Sequence, residues 1–156
     1  MNLHDELVYE HMLLSRVALH GVAPYARQAE LDRSAAVLLS RLEAQGPMTI
    51  GELADAFGLD VSTVHRQVAA AMKDGLIERT EGPRGAGART HQASAEGRRR
   101  LRAELEGRRT SVERVTREWD ADELAEFVRL MRRFNEGAES VRERPWPRPD
   151  REAAAD

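Results

Sequence analysis

Between residues 62 and 67 the sequence carries five side chains able to hydrogen-bond to nucleobase edges: Ser62, Thr63, His65, Arg66 and Gln67. A guanidinium such as that of Arg66 matches guanine O6 and N7 with two parallel donors. A carboxamide such as that of Gln67 matches adenine N6 and N7. The hydroxyls of Ser62 and Thr63 reach phosphates or bases, and the His65 imidazole donates or accepts. Further along, Arg84 and Arg89 flank a glycine-rich stretch whose Gly85 and Gly87 allow close backbone approach. Cations so placed hold phosphates or enter a narrow minor groove.

The surrounding pattern supplies elements to aim these groups. Thr49-Ile50-Gly51-Glu52 has the spacing of a capping box, in which hydroxyl and carboxylate each satisfy an orphan amide. Leu53, Ala54 and Phe57 give the helix that follows a short apolar face, and Gly58 suits a left-handed cap. Asp60 is placed to cap the next helix, whose Val61, Val64, Val68, Ala71 and Met72 share one face at 3–4 spacing. Gly75 ends it. Two short helices joined by Gly58-Leu59-Asp60 read as a helix-turn-helix. Residues 76–80 and 89–92 then have strand character around the basic, glycine-rich 82–88, which predicts a β-hairpin wing.

On the N-terminal side, Leu3–Leu19 reads as a helix with Leu3, Leu7 and Leu14 on its stripe, closed by Gly21 and Pro24. A second helix starts at an Asp32 cap and stops at Gly46-Pro47. On the C-terminal side, Ser94 caps a long helix with Leu101, Leu105, Val112, Val115 and Trp119 as its stripe. Asp120 and Glu123 open another box, ahead of Leu124, Phe127, Val128, Met131 and Phe134. The prolines at 145, 147 and 149 forbid helix, so the tail 142–156 is expected to be extended or disordered. The fold class is therefore mainly α with a small β-hairpin: a winged helix-turn-helix over 32–93, flanked by dimerisation helices in 1–31 and 94–141. The stripes Leu3, Leu7, Leu14 and Phe127, Met131, Phe134 are too apolar for one chain to cover, and a second copy would bury them.

Composition narrows the function classes. At 156 residues one domain is expected. Aromatic residues make up only 4%, so the core must come from Leu, Val and Ala, which suits packed helices. Absence of cysteine removes disulfides, thiol catalysis and cysteine-ligated zinc. The longest apolar runs, Ala35–Leu39 and Val68–Met72, are far too short for a membrane span, and a cytoplasmic location follows as an expectation. The net charge of -3 is unevenly spread: residues 60–100 hold eight basic against five acidic groups on an otherwise acidic chain. A basic segment on an acidic body is compatible with double-stranded DNA as partner. No His-Glu-x-x-His, Gly-x-Ser-x-Gly or dinucleotide loop is present, so neither an enzyme nor a cofactor is expected.

Four stretches carry a family resemblance: Thr49–Leu59, then Ser62-Thr63-Val64-His65-Arg66, then Lys73–Arg79, then Ser94-Ala95-Glu96-Gly97-Arg98. In order and spacing they resemble the MarR family of bacterial transcriptional regulators from about Leu3 to Gly137. The resemblance implies a homodimer whose paired winged domains read a pseudo-palindromic operator. It also implies, for many members, release of DNA when a small aromatic or phenolic effector binds between the dimer helices and the DNA-binding domain. Two departures stand out. The family's wing carries Asp-x-Arg where alignment from Ser94 places Gly85 and Gly87, and the family's Thr before the helix Arg is His65 here.

For an effector, the candidates lining a cleft between the first, second and fifth helices are Tyr9, Arg16, His20, Tyr25 and Arg41. Aromatic rings would stack on a ligand ring, and arginine would pair with a carboxylate. Two other readings follow from the residues. His4 and His11, one heptad apart, with His20 and a carboxylate from Asp5 or Glu10, would make a metal-sensing regulator. A winged helix that binds protein and not DNA is the second.

Overall fold

The computed structural model describes residues 2–16, 31–81 and 89–148. Six helices and one hairpin follow in the order α1 (Leu3–Arg16), α2 (Arg33–Gln45), α3 (Ile50–Phe57), α4 (Val61–Lys73), β1 (Ile77–Glu81), β2 (Arg89–Ala93), α5 (Ala95–Val115) and α6 (Ala121–Arg142). The architecture is mainly helical with a two-stranded antiparallel wing. The far ends of the first predicted helix and of the hairpin, 17–19 and 82–88, lie outside the described residues, as do His20, Tyr25, Arg84, Gly85 and Gly87.

Local signals set most boundaries. Asp32 accepts the Ala35 amide at the start of α2. Thr49 and Glu52 form the full reciprocal box on α3, and Asp120 and Glu123 repeat it on α6. Gly58, at φ 63° and ψ 37°, closes α3 in the left-handed region that a side chain disfavours. Asp60 departs from expectation. It makes no side-chain bond to the backbone of α4, because its carboxylate takes the Thr63 hydroxyl instead. Val61 departs too: it lies in the first turn, faces solvent and is not part of the buried face.

Helix α2 stands at the centre of the core. Leu38, Leu39, Met48, Leu53, Val64 and Val68 are fully enclosed, with Leu42, Ala71, Leu76, Ile77, Ala93 and Leu101 around them. Each such aliphatic side chain removed from water contributes about 1.5–3 kcal/mol. The strands pair in register from Ile77 opposite Ala93 to Glu81 opposite Arg89. Met48 adds a single bridge to His91, with N–H···O distances of 3.0 and 2.7 Å, and so ties the α2–α3 connection to the wing's base.

The terminal helices behave differently. Neither α1 nor α6 has a buried residue in the single chain. Of the stripe expected on α5 only Leu101 is buried, whereas Leu105, Val112, Val115 and Trp119 are exposed. The face that α5 does bury is Gly97, Leu101, Glu104 and Ser111. Among the described residues no helix is long and apolar enough to cross a membrane.

Where α5 meets the winged unit, contact is at backbone distance. A Cβ built on Gly97 would lie 2.1 Å from the Leu76 carbonyl oxygen and 3.1 Å from the Leu39 side chain. Gly97→Ala should therefore destabilise the protein by about 3 kcal/mol or more, since the obstacle is main chain and cannot rotate away. Urea denaturation measures this. A midpoint within error of wild type would show that the junction yields.

Candidate nucleic-acid interface

The inward face of α4 anchors it through Val64, Val68 and Ala71. The opposite face is left to solvent: Ser62, His65 and Arg66 are exposed, and Thr63 and Gln67 are half-buried at its margins. Thr63 Oγ1 donates to Asp60 Oδ2 and accepts from Arg66 Nη2 at 3.4 Å, so a short polar chain runs along the first turn and a half. Ala69 and Ala70 continue the exposed face without bulk, and Lys73 closes it. A helix pinned on one side, with polar tips and small residues on the other, has the profile that fits a major groove.

The wing's base adjoins this surface. Arg89 opens β2, exposed and opposite Glu81. Thr90 donates its hydroxyl to the Thr80 carbonyl and locks the strands one step inward. His91 is buried beneath them, and its Nδ1 has no hydrogen-bond partner among the described residues. Burial holds the His91 imidazole below its ordinary pKa; a hydrogen bond of the ring to the Met48 backbone opposes this, and the nearby charges of Arg79 and His65 act with burial.

Of the effector candidates, Tyr9, Arg16 and Arg41 fall within the described residues. Tyr9 is exposed on α1, and Arg16 is that helix's last residue. Arg41 is buried and already engaged. Its Nε donates to Gln45 Oε1 at 2.9 Å and its Nη1 to the Pro145 carbonyl at 3.0 Å, and its guanidinium lies 4.9 Å from the centre of the Trp146 ring. In this structure Gln45 and the tail, and not a carboxylate, occupy it. The tail residues that occupy it were expected only to be extended or disordered; a tryptophan between two prolines was the available signal of a contact. An open cavity of about 290 Å³ lies instead behind the recognition face, lined by Leu31, Asp32, Ser34, Arg66, Gln67 and Arg100 among others. As to metal, His11 faces the Phe134 ring at 5.9 Å, and no group of three potential ligands gathers among the described residues.

Comparison with known proteins decides the family. The family model HVO_A0114 matches residues 31–90. The uncharacterised HTH-type transcriptional regulator YxaD of Bacillus subtilis (strain 168) is 32% identical over 127 residues, 81% of this chain and 89% of that protein. Among solved structures, MarR itself superposes with a TM-score of 0.70 at 20% identity, covering 92% of this chain and 95% of that one. The chain belongs to the MarR family of winged helix-turn-helix transcriptional regulators. Two further structures share the fold of this MarR-family regulator. RV1404 from Mycobacterium tuberculosis has a TM-score of 0.73 at 22% identity, covering 97% and 99% of the two chains. PcaV from Streptomyces coelicolor, solved with its natural ligand, has a TM-score of 0.56 at 23% identity over 88% and 92%. The protein is thus a DNA-binding regulator of transcription.

Arg66→Ala should weaken binding to specific DNA more than to random DNA, by about 1–3 kcal/mol, the worth of a bidentate guanine contact. Titrations on both DNAs measure the difference, and equal losses would make Arg66 a phosphate contact. A second expectation concerns acid. An unfolded histidine takes up its proton near 6.5, whereas folded His91 resists to lower pH. Stability from this group is complete above that value and is lost as the pH falls below it. Denaturation at pH 7.5 and 5.5 should show a fall that shrinks in His91→Gln. The same fall in both proteins would place the acid sensitivity elsewhere.

Proposed function

We propose that this MarR-family regulator acts as a homodimer on a pseudo-palindromic operator, with α4 of each copy in a major groove, and that it represses transcription until a small aromatic or phenolic molecule binds. The observation that carries this reading is the solvent-facing row Ser62, His65 and Arg66 on a helix whose other side is fixed in the core. Gln67 and Thr63 serve at the margins of that row, and Arg84 and Arg89 hold phosphates or the minor groove from the wing.

Self-association is supported by the apolar faces that one chain leaves open. Leu3, Leu7, Leu14, Phe127 and Phe134 are all exposed, and Met131 is only partly covered. Two copies related by a twofold axis would cover these faces reciprocally and bring two recognition helices onto one duplex. Regulation by a ligand is supported by the cavity behind α4: a molecule there would touch Arg66 and Gln67, the groups that read bases. PcaV, a structural neighbour, is a regulator with a natural ligand. The setting is the cytoplasm, where bacterial operators are.

The test is an electrophoretic mobility shift on the promoter region next to the protein's own gene, with sedimentation run alongside. A shift that survives excess random DNA, from a protein that sediments as a dimer at micromolar concentration, is the expected result. A stable monomer, or a shift erased by random competitor, would overturn the reading in favour of a winged helix serving a protein partner.

A further inference from the structure

The residues that follow α6 return to the helix-turn-helix and grip it. Glu143, a non-glycine residue, takes the left-handed conformation at φ 55° and ψ 33°. Its amide donates to the Ser140 carbonyl and that of Arg144 to the Glu139 carbonyl, which turns the chain sharply. Arg144 Nε then donates to the Asp55 carbonyl at 2.8 Å, and the same guanidinium covers Gly58 so closely that a Cβ there would lie 3.1 Å from Nε. Trp146 stacks on Phe57, with centroids 5.8 Å apart and planes inclined by 30°, and lies against the Arg41 guanidinium. Arg41 also donates to the Pro145 carbonyl. The other end is held by Glu139 of α6, which accepts from the Trp146 amide and, with both oxygens, from Arg148.

We propose that residues 143–148 form a strap that fixes the angle between α6 and the helix-turn-helix, and thereby sets the half-site spacing that the dimer accepts. The spacing part rests on the dimeric operator reading above. The first attachment of the terminal helices to the winged unit is the start of α5, and it fixes α5 without fixing α6, which follows only after the turn at 116–120. The strap supplies a second, at Asp55, Phe57 and Gly58, directly before the helix that reads DNA. Among the described residues, the hydrogen bonds joining 121–148 to 31–93 are those of Arg41 with Pro145 and Arg144 with Asp55. A left-handed non-glycine residue persists where its surroundings over-determine it, and here they do so by seating Arg144 and Trp146. Stacking, cation–π contact and charge-assisted hydrogen bonds are each modest but act together on one short segment. In a dimer, the angle between α6 and α4 becomes the separation of the two recognition helices, which DNA measures in base pairs.

Full-length Trp146→Ala, Arg144→Ala and the conservative Trp146→Phe test this in two measurements. The chain has no cysteine, so one spin-label pair can be introduced, on exposed sites of α4 and α6, and diluted with unlabelled chain. The distance distribution should be narrow in the parent and in Trp146→Phe, and broad in both alanine variants. An unchanged narrow distribution in both would overturn the strap whatever happens on DNA. The second measurement is affinity for operators whose half-sites are moved by one or two base pairs, and for an isolated half-site. The preference for native spacing should fall about tenfold in the alanine variants, with half-site affinity unchanged. Equal losses on every DNA, or an intact preference, would overturn the spacing role. A parent protein that binds no operator while the distances broaden would overturn the dimeric-operator reading and the spacing role with it, and leave the angle-fixing role standing.

Discussion

Ser94 is the point at which the two halves of the molecule become one. Its amide donates to the Leu76 carbonyl at 2.9 Å, its hydroxyl donates to the Gly75 carbonyl, and the same oxygen accepts the Gly97 amide. One short side chain thus caps α5, closes the end of α4 and fastens the hairpin's exit. Gly97 lies against the carbonyl that Ser94 already uses. Hydrogen bonds cannot slide as apolar contacts can, so this junction transmits position without play. The core of α2, α3 and α4 makes the winged unit stable; the Ser94 junction makes it point somewhere.

An acidic chain that binds DNA is less of a paradox once its ion pairs are located. On α5, Glu96 takes Arg99 and Arg100, and Arg109 bridges Glu106 and Glu113; on α6, Glu126 takes Arg129. The two arginines beside Glu96 hold its carboxyl down at about 2. Such exposed pairs add little stability, but they neutralise cations along the terminal helices. The recognition face contains no carboxylate between Asp60 and Asp74, and its His65, Arg66 and Lys73 stand on that open stretch. Net charge describes the wrong average; what a phosphate meets is the local one.

Much of this was legible in the residues. The boxes at Thr49 and Asp120, the caps at Asp32 and Ser94 and the turn at Gly58 depend on partners three or four positions away, and spacing alone reveals them. Asp60 misled because Thr63, also three positions on, competes for the same carboxylate. Val61 misled because periodicity does not say where the first turn of a helix leaves the core. The stripes on α1 and α6 were visible as patterns, and so was the fact that one chain leaves them open; that α5 would bury only Leu101 of its stripe was not. The strap was illegible for a different reason: Arg144 bonds to a carbonyl 89 positions earlier, and no local pattern encodes so distant a partner. The surroundings of Arg41 were illegible with it, since they are made by that tail.

The close seat of Gly97 also indexes α5 like a keyed shaft. A helix residue advances by about 100° around its axis, so fixing one position fixes the bearing of every later one. Over 21 residues, about 30 Å of helix, the direction faced by Leu105, Val112 and Val115 is decided at the first turn. A single residue inserted between Leu101 and Leu105 would leave the Gly97 and Leu101 contacts with the winged unit in place and swing that apolar row by more than a quarter-turn. The length of this segment is therefore under tighter constraint than its composition, and relatives should tolerate exchanges of its arginines and glutamates far more readily than any change in its count.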